Sequence, residues 1–389
     1  MPELVINVSN IISPLCYSLI RLEPYTACVH GCVYCYARWY RGNTSIVIPR
    51  PRAIQEFHTY ARKIYRKGLP PIPARLSTLV DPFIPHEELY RKSLTLLRIA
   101  LDYEHPIIIN TKATLVLKKP WIDITEKLAD RDLLLLQVSI STIDPHTARI
   151  LEPYAPSPHH RLSMLREFSS RGISTAIRLS PYIPKLSLHP SLDEVVETLS
   201  EIGIKHVIVE VLRLESHTIE DFLRRLGLEL EVESYSLHRV ENRIPLSRVS
   251  LRARLAEYIA LAKALAKHGI TFATCKEGLF ALHTAKDCCG MYLFRRAIAY
   301  RPTLAEFYRI TRERGGIPLD RLEHVIGELE KLGYLCGSRL RPYPKRVAKP
   351  LKYHERKLLR VAQKRELVTH ITPLLDVVDG KLIAKDIQL

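Results

Sequence analysis

The sequence lacks any run of eighteen apolar residues, which argues against a membrane-spanning helix. Its N-terminus has no charged-then-apolar signal pattern, so a soluble, cytoplasmic protein is expected. Asn and Gln are scarce beside Arg, Lys, Glu, Leu and Pro, a composition that suits a thermophilic source. Acidic residues fall short of basic ones, 41 against 58, and the formal charge of +17 points to a polyanionic partner or to a merely soluble basic surface. At 389 residues the chain is long enough for one large domain and a smaller one, with ample core. Its eight cysteines fit metal ligation in a reducing compartment better than disulfides, because three of them are tightly clustered.

Those three lie in Cys28-Val29-His30-Gly31-Cys32-Val33-Tyr34-Cys35-Tyr36, at positions i, i+4 and i+7. A loop this short can converge its sulfurs on one metal centre, and Gly31 lets the backbone turn sharply between them. A structural zinc would need a fourth ligand, either His30 or a distant cysteine. A cubane iron-sulfur cluster held by three thiolates instead keeps one iron open for a small chelating cofactor.

The fuller string from Glu23-Pro24-Tyr25 through Cys28, Cys32 and Cys35 to Tyr36-Ala37-Arg38 resembles the signature of radical S-adenosylmethionine (SAM) enzymes, in the spore photoproduct lyase-like (DNA repair photolyase-like) branch. The resemblance implies a 4Fe-4S cluster on Cys28, Cys32 and Cys35. It also implies SAM chelated to the open iron and cleaved by one electron to a 5′-deoxyadenosyl radical that abstracts hydrogen from a substrate, with an external electron donor. One departure stands out: spore photoproduct lyases keep a cysteine hydrogen donor after the second strand, and Leu76-Ser77-Thr78-Leu79-Val80-Asp81 has none. That argues against repair of spore photoproduct.

Along the chain, Tyr17 to Arg21 reads as a first strand feeding the cysteine loop, and a basic helical stretch runs from Ile54 to Lys67. Strands are then expected at Arg75 to Val80, Ile107 to Thr111, Leu133 to Ile140, Thr175 to Leu179 and His206 to Leu212. Helices alternate with them at Glu87 to Leu101, Ile122 to Ala129, Arg161 to Ser170 and Leu192 to Glu201. Continuous apolar runs such as Ile107-Ile108-Ile109 suit a parallel sheet covered on both faces. Six strand-helix units imply an α/β fold, a partial (β/α)6 TIM-type barrel whose chemistry gathers at the strands' C-terminal ends.

At those ends stand Asp81, Lys112, Ser139, Ser141 and Asp144, each of which could simply cap a helix or form a turn. The resemblance implies that this rim binds SAM and substrate, with Lys112 or Ser139 at the SAM carboxylate and Tyr34 and Tyr36 flanking the cofactor beside Asp81 and Ser141. No catalytic residue is assigned.

Beyond the barrel, Leu246 to His268 reads as one long amphipathic helix. Cys275, Cys288 and Cys289 follow as candidates for a second, auxiliary iron-sulfur cluster, or as buried apolar thiols. Cys16 and Cys336 lie alone in the sequence and read as structural. From residue 300 two helices, Thr303 to Arg312 and Leu319 to Leu332, precede an expected strand starting at Gly333-Tyr334-Leu335. This suggests a small basic α+β module of winged-helix type. The run from Arg339 to Arg365 holds eleven Lys and Arg against Glu355, with Tyr343 and Tyr353 interleaved, and suits either a solvated surface or contacts to a DNA or RNA backbone. Leu374 to Ile387 reads as a closing hairpin around Asp379-Gly380. The expected domains are 1–245, 246–299 and 300–389.

Two functions follow: a radical SAM enzyme acting on an unidentified substrate, nucleic acid being one candidate and a protein or small molecule another, or a non-enzymatic metal-containing nucleic-acid-binding protein.

Overall fold

A computed structural model describes residues 4–6, 13–18, 20–41, 46–235 and 245–387. Strand β1 (Leu4–Ile6) pairs antiparallel with β2 (Ile20–Leu22). From β2 the sheet continues in parallel through β3 (Ala74–Leu76), β4 (Ile107–Thr111), β5 (Leu134–Ile140), β6 (Thr175–Tyr182) and β7 (His206–Val211). A small antiparallel sheet interrupts the alternation, built from β8 (Arg213–Glu215), β9 (Val232–Ser234) and β10 (Leu246–Val249) in the order β8-β10-β9. Strand β11 (Thr271–Thr274) then joins β7 in parallel and completes the main sheet.

The parallel sheet therefore has seven strands, one more than the sequence suggested. The extra strand is β11, four residues that pair with a partner more than sixty residues earlier. The helix expected from Leu246 begins later, at Leu251. Leu246–Val249 is used as β10, and the Ser250 hydroxyl accepts from Ala253 N to cap Leu251–Lys267. The helix expected over Glu87 to Leu101 is broken at Arg91, which has φ 50°. The buried Glu87 carboxylate accepts from Ser93 N and Leu94 N at 2.9 and 2.8 Å and restarts the helix as Lys92–Asp102.

Alternation along each strand separates two cores. Ile107, Ile109, Leu134, Leu136 and Ile177 pack outward against the helices. Ile108, Leu135, Ala176 and Ala273 point the other way, into the barrel lumen, where they meet Cys288, Cys289, Met291 and the C-terminal residues Leu304, Phe307 and Leu358.

The C-terminal part contains helices Leu304–Arg314, Leu322–Lys331, Lys345–Gln363 and Arg365–Ile371. With them goes a three-stranded sheet of β12 (Ile317–Pro318), β13 (Leu375–Val378) and β14 (Lys381–Ala384), ordered β12-β14-β13. The hairpin turns on Asp379 and Gly380, both at positive φ, 47° and 69°, as a two-residue turn of this hand requires. No strand starts at Gly333, where the chain turns and Leu335 N donates to Tyr300 O. The basic run is ordered as the nineteen-residue helix Lys345–Gln363, which buries Val347, Leu351, Leu358 and Val361.

This part touches both ends of the parallel sheet. On the β2 side Lys67 Nζ donates to Pro342 O, Tyr343 OH to Pro70 O, and Arg346 pairs with Glu56 at 2.6 Å. On the β11 side Thr372 Oγ1 donates to Gly278 O at 2.6 Å. Among the described residues no helix is long and apolar enough to cross a membrane.

Candidate active site

The cysteine loop leaves the C-terminal end of β2 and is tied at both ends. Arg50 N donates to Pro24 O and Thr26 N to Ile48 O at its entry. Farther on, Val33 N donates to Leu151 O and Tyr154 N to His30 O, which docks the loop on the segment after β5. Gly31 sits at φ +64°, and a Cβ there would lie 2.6 Å from Tyr154 Cδ2, so both conformation and space demand glycine.

Cys28, Cys32 and Cys35 are free, half-buried, and within electrostatic reach of one another. Burial pushes the Cys28 thiol up to about 11, with Asp81 adding to the effect while backbone N–H groups of His30 and Asp81 oppose it. Burial likewise pushes Cys32 up to about 12 against the pull of Lys112. Among the described residues no three His, Cys, Asp or Glu side chains converge as ligands of a single ion.

The rim around the loop is cross-linked by carboxylates. Asp81 accepts from Thr111 Oγ1 (2.8 Å), Lys112 N (2.6 Å) and Phe83 N (2.9 Å), and its Oδ2 lies 3.3 Å from His30 Nε2. These contacts join the ends of β3 and β4 to the cysteine loop. Desolvation works against the Asp81 charge, but His30 and the N–H donors outweigh it and hold the carboxyl below its usual range. Glu23 accepts from Ser77 Oγ, Thr78 N and Leu79 N, fixing the loop after β3.

Glu152 is the main hub. Lys112 Nζ donates to it at 3.0 Å, Ser141 Oγ at 2.9 Å, and Tyr34 OH and Arg161 Nη2 also reach it. Lys112 Nζ donates in addition to Ser139 Oγ at 2.8 Å. Burial raises the Glu152 pKa, yet Lys112 and Arg161 overcome that and hold it at about 2.

Deeper in the lumen Glu210 gathers Arg178 (3.1 Å), Lys276 (2.9 Å) and Arg213. Two buried polar atoms among the inward residues, Asn110 Oδ1 and Arg75 Nε, have no hydrogen-bond partner. Such orphans are costly and mark a lumen shaped for a further polar group.

Lys112, Ser139, Ser141 and Tyr34 thus share one network, while Asp81 braces the loop from the other side. Tyr34 packs among Leu151, Ile183 and Leu186, with Lys112 Nζ 5.6 Å from its ring centroid. Tyr36 donates to Thr78 O, and its ring stands 5.1 Å from Lys276 Nζ. Asp144 only caps Pro145–Leu151, accepting from His146 N and Thr147 N. The sequence reading gave no role to Glu23, which stands in the signature string, nor to Glu152, Glu210, Arg178 or Lys276. Arg178 and Glu210 lie within β6 and β7, and Glu23 and Lys276 just past β2 and β11, so a charge in or beside an apolar strand is their one signal. Cys16, read as solitary, lies within electrostatic reach of Cys275 and Cys289.

Residues 22–190 match the model of the Radical SAM superfamily. The chain is 27% identical over 207 residues to an uncharacterized protein of Acidianus two-tailed virus, covering 50% of this chain and 67% of that protein. It is 25% identical over 274 residues to the radical SAM Nα-GlyT isomerase of Pseudomonas phage M6, covering 67% of this chain and 55% of the isomerase. Among solved structures, spore photoproduct lyase complexed with dinucleoside spore photoproduct gives a TM-score of 0.47 at 14% identity, covering 66% of this chain and 77% of the lyase. Streptococcus suis SuiB bound to SAM gives 0.45 at 17%, covering 68% of this chain and 52% of SuiB. The chain therefore spans little more than half the length of the isomerase and of SuiB. The thiol triad lies inside the matched segment, so residues 22–190 are what this chain shares with the Radical SAM superfamily.

Proposed function

We propose that Cys28, Cys32 and Cys35 hold a 4Fe-4S cluster with SAM, and that the chain uses it to abstract hydrogen from a substrate drawn from nucleic acid. The observation that carries the first part is the placement of three free thiols at the strand-end rim, next to the Lys112–Ser139–Glu152 network. A cluster and SAM bound there would supply one-electron chemistry that generates a hydrogen-abstracting radical. The protein's own groups do the rest. Lys112 Nζ and Ser139 Oγ offer donors to the SAM carboxylate, while Asp81 and Glu152 keep the loop in register.

The nucleic-acid part rests on the helix Lys345–Gln363. Lys345, Lys349, Lys352, Arg356 and Arg360 fall on one helical face, all exposed, and none forms an ion pair with a described residue. At 1.5 Å per residue the stripe is about 22 Å long, enough to follow several phosphates. The hairpin β13–β14, pairing back onto β12, supports the winged-helix reading of residues 300–389. The deciding experiment is anaerobic reconstitution with iron and sulfide, followed by dithionite, SAM and an assay for 5′-deoxyadenosine. Wild type should produce it and Cys32→Ala should not. A wild type that binds only zinc and yields none would leave a non-enzymatic nucleic-acid-binding protein.

A further inference from the structure

Four cysteines outside the triad gather in the lumen, on its floor and wall. Cys275 follows β11 directly, its N–H donating to Val209 O at 2.7 Å. Cys288 and Cys289 are pressed onto the inner face of the sheet. Gln137 Nε2 donates to Cys289 O at 2.6 Å, His206 Nε2 lies 3.4 Å from Cys288 O, and a Cβ on Gly290 would sit 3.1 Å from His206 Cδ2. The Cys288 and Cys289 sulfurs are 3.9 Å apart, Cys288 hydrogen-bonds Cys275, and Cys16 faces both Cys289 and Cys275. None is in a disulfide.

Guanidinium groups surround these thiols. Arg75 Nη2 donates to Cys289 Sγ at 3.1 Å, Arg178 hydrogen-bonds Cys275, and Arg301 faces Cys16. Arg178 and Arg301 are each 4% exposed. The carboxylates nearby are committed elsewhere. Glu210 serves Arg178, Arg213 and Lys276 together; Asp287 accepts from Cys289 N, Met291 N and Tyr292 N; Glu306 caps its helix and binds Tyr17 and Arg309. Arg75 Nε and Arg301 Nη1 are buried with no hydrogen-bond partner. Buried cations without anions are strongly unfavourable, and neutral thiols packed as apolar filler leave both nitrogens stranded.

We propose that Cys16, Cys275, Cys288 and Cys289 ligate a second iron–sulfur cluster, balanced by Arg75, Arg178 and Arg301. Four thiolates around such a cluster form an anion whose sulfurs accept hydrogen bonds, the complement that Arg75 Nε and Arg301 Nη1 lack. Nothing in this assignment depends on the chemistry proposed for the triad.

The test measures iron and acid-labile sulfide on the full chain reconstituted anaerobically. The variants are Cys28→Ala/Cys32→Ala/Cys35→Ala and the same protein with Cys275→Ser and Cys289→Ser added. The triad variant should keep roughly half of the wild-type iron, with a reduced-cluster resonance that SAM does not alter. The fivefold variant should fall to background, while Cys336→Ser, remote from both sets, should keep the wild-type content. A folded triad variant without iron, or with zinc in its place, overturns the proposal. Should the fivefold variant not fold, Arg75→Gln in the triad background serves instead. Losing the donor to Cys289 Sγ should make the remaining cluster's reduction potential more negative, and an unchanged potential counts against the site.

Discussion

Glu152→Gln should loosen the rim and the cysteine loop together. The Glu152 side chain is fully buried, and the amide that replaces it is neutral, leaving Arg161 (1% exposed) and Lys112 (14% exposed) without their anion. Breaking a buried pair by removing one partner costs about 3–5 kcal/mol. Proton linkage gives a similar figure. The carboxyl is held at about 2 against an ordinary 4.5, which corresponds to about 3 kcal/mol. Because the folded-state pKa is the lower one, this stabilisation is fully present above about pH 4.5 and is lost as pH falls through about 2. Urea midpoints by pulse proteolysis from pH 2 to 7 should show wild type well above the variant at neutral pH, with the gap closing in acid. Glu152 lies between Leu151 O and Tyr154 N, which clamp the loop, so iron uptake by the triad should drop too. A loss below about 1 kcal/mol at pH 7, or a gap that stays constant into acid, would refute the assignment of Glu152 as the rim's anchor.

Gly31→Ala must force a side chain into left-handed backbone at about 1–2 kcal/mol and displace the Tyr154 ring. The fold should survive, with triad iron reduced in proportion as the loop distorts, as read by iron analysis beside circular dichroism. With Cys28 pushed up to about 11 and Cys32 to about 12, both thiols are protonated at neutral pH in the metal-free chain. Iron loading should therefore release at least two protons per triad into a weakly buffered indicator solution, and acidification should favour iron loss. Nucleic-acid affinity should fall with salt at a log–log slope of up to about −4 if all five stripe cations contact phosphates, and Lys349→Glu/Arg356→Glu should flatten it by about 2. A slope near zero in wild type would remove the stripe as a phosphate-binding face.

What could be read from the sequence was what is local. Cys28, Cys32 and Cys35 signal themselves within eight residues, and Ile107-Ile108-Ile109 and Leu134-Leu135-Leu136 are apolar on both faces because both faces are buried. Strand β11 could not be read that way, since four residues are too few to show a period and its partner β7 comes before the β8–β10 insertion. Glu152 ends the helix Pro145–Leu151 and Glu210 lies within β7, and no spacing rule says that cationic and hydroxyl partners from other segments will meet them. The helix Lys345–Gln363 was obscured by its own charge and by Pro344 and Pro350. Yet Val347, Leu351, Leu358 and Val361 recur at helical intervals, and burying the first two in the outer core and the last two in the lumen core outweighs the single hydrogen bond that Pro350 removes. Cys16 shows the limit most clearly. It stands alone in the chain, yet β2 begins four residues later beside β3, and that pairing carries it to the same lumen as Arg75 and Cys289. A ligand set assembled by sheet order cannot be counted along a sequence, so the grouping of these thiols became visible only once the strands were in place.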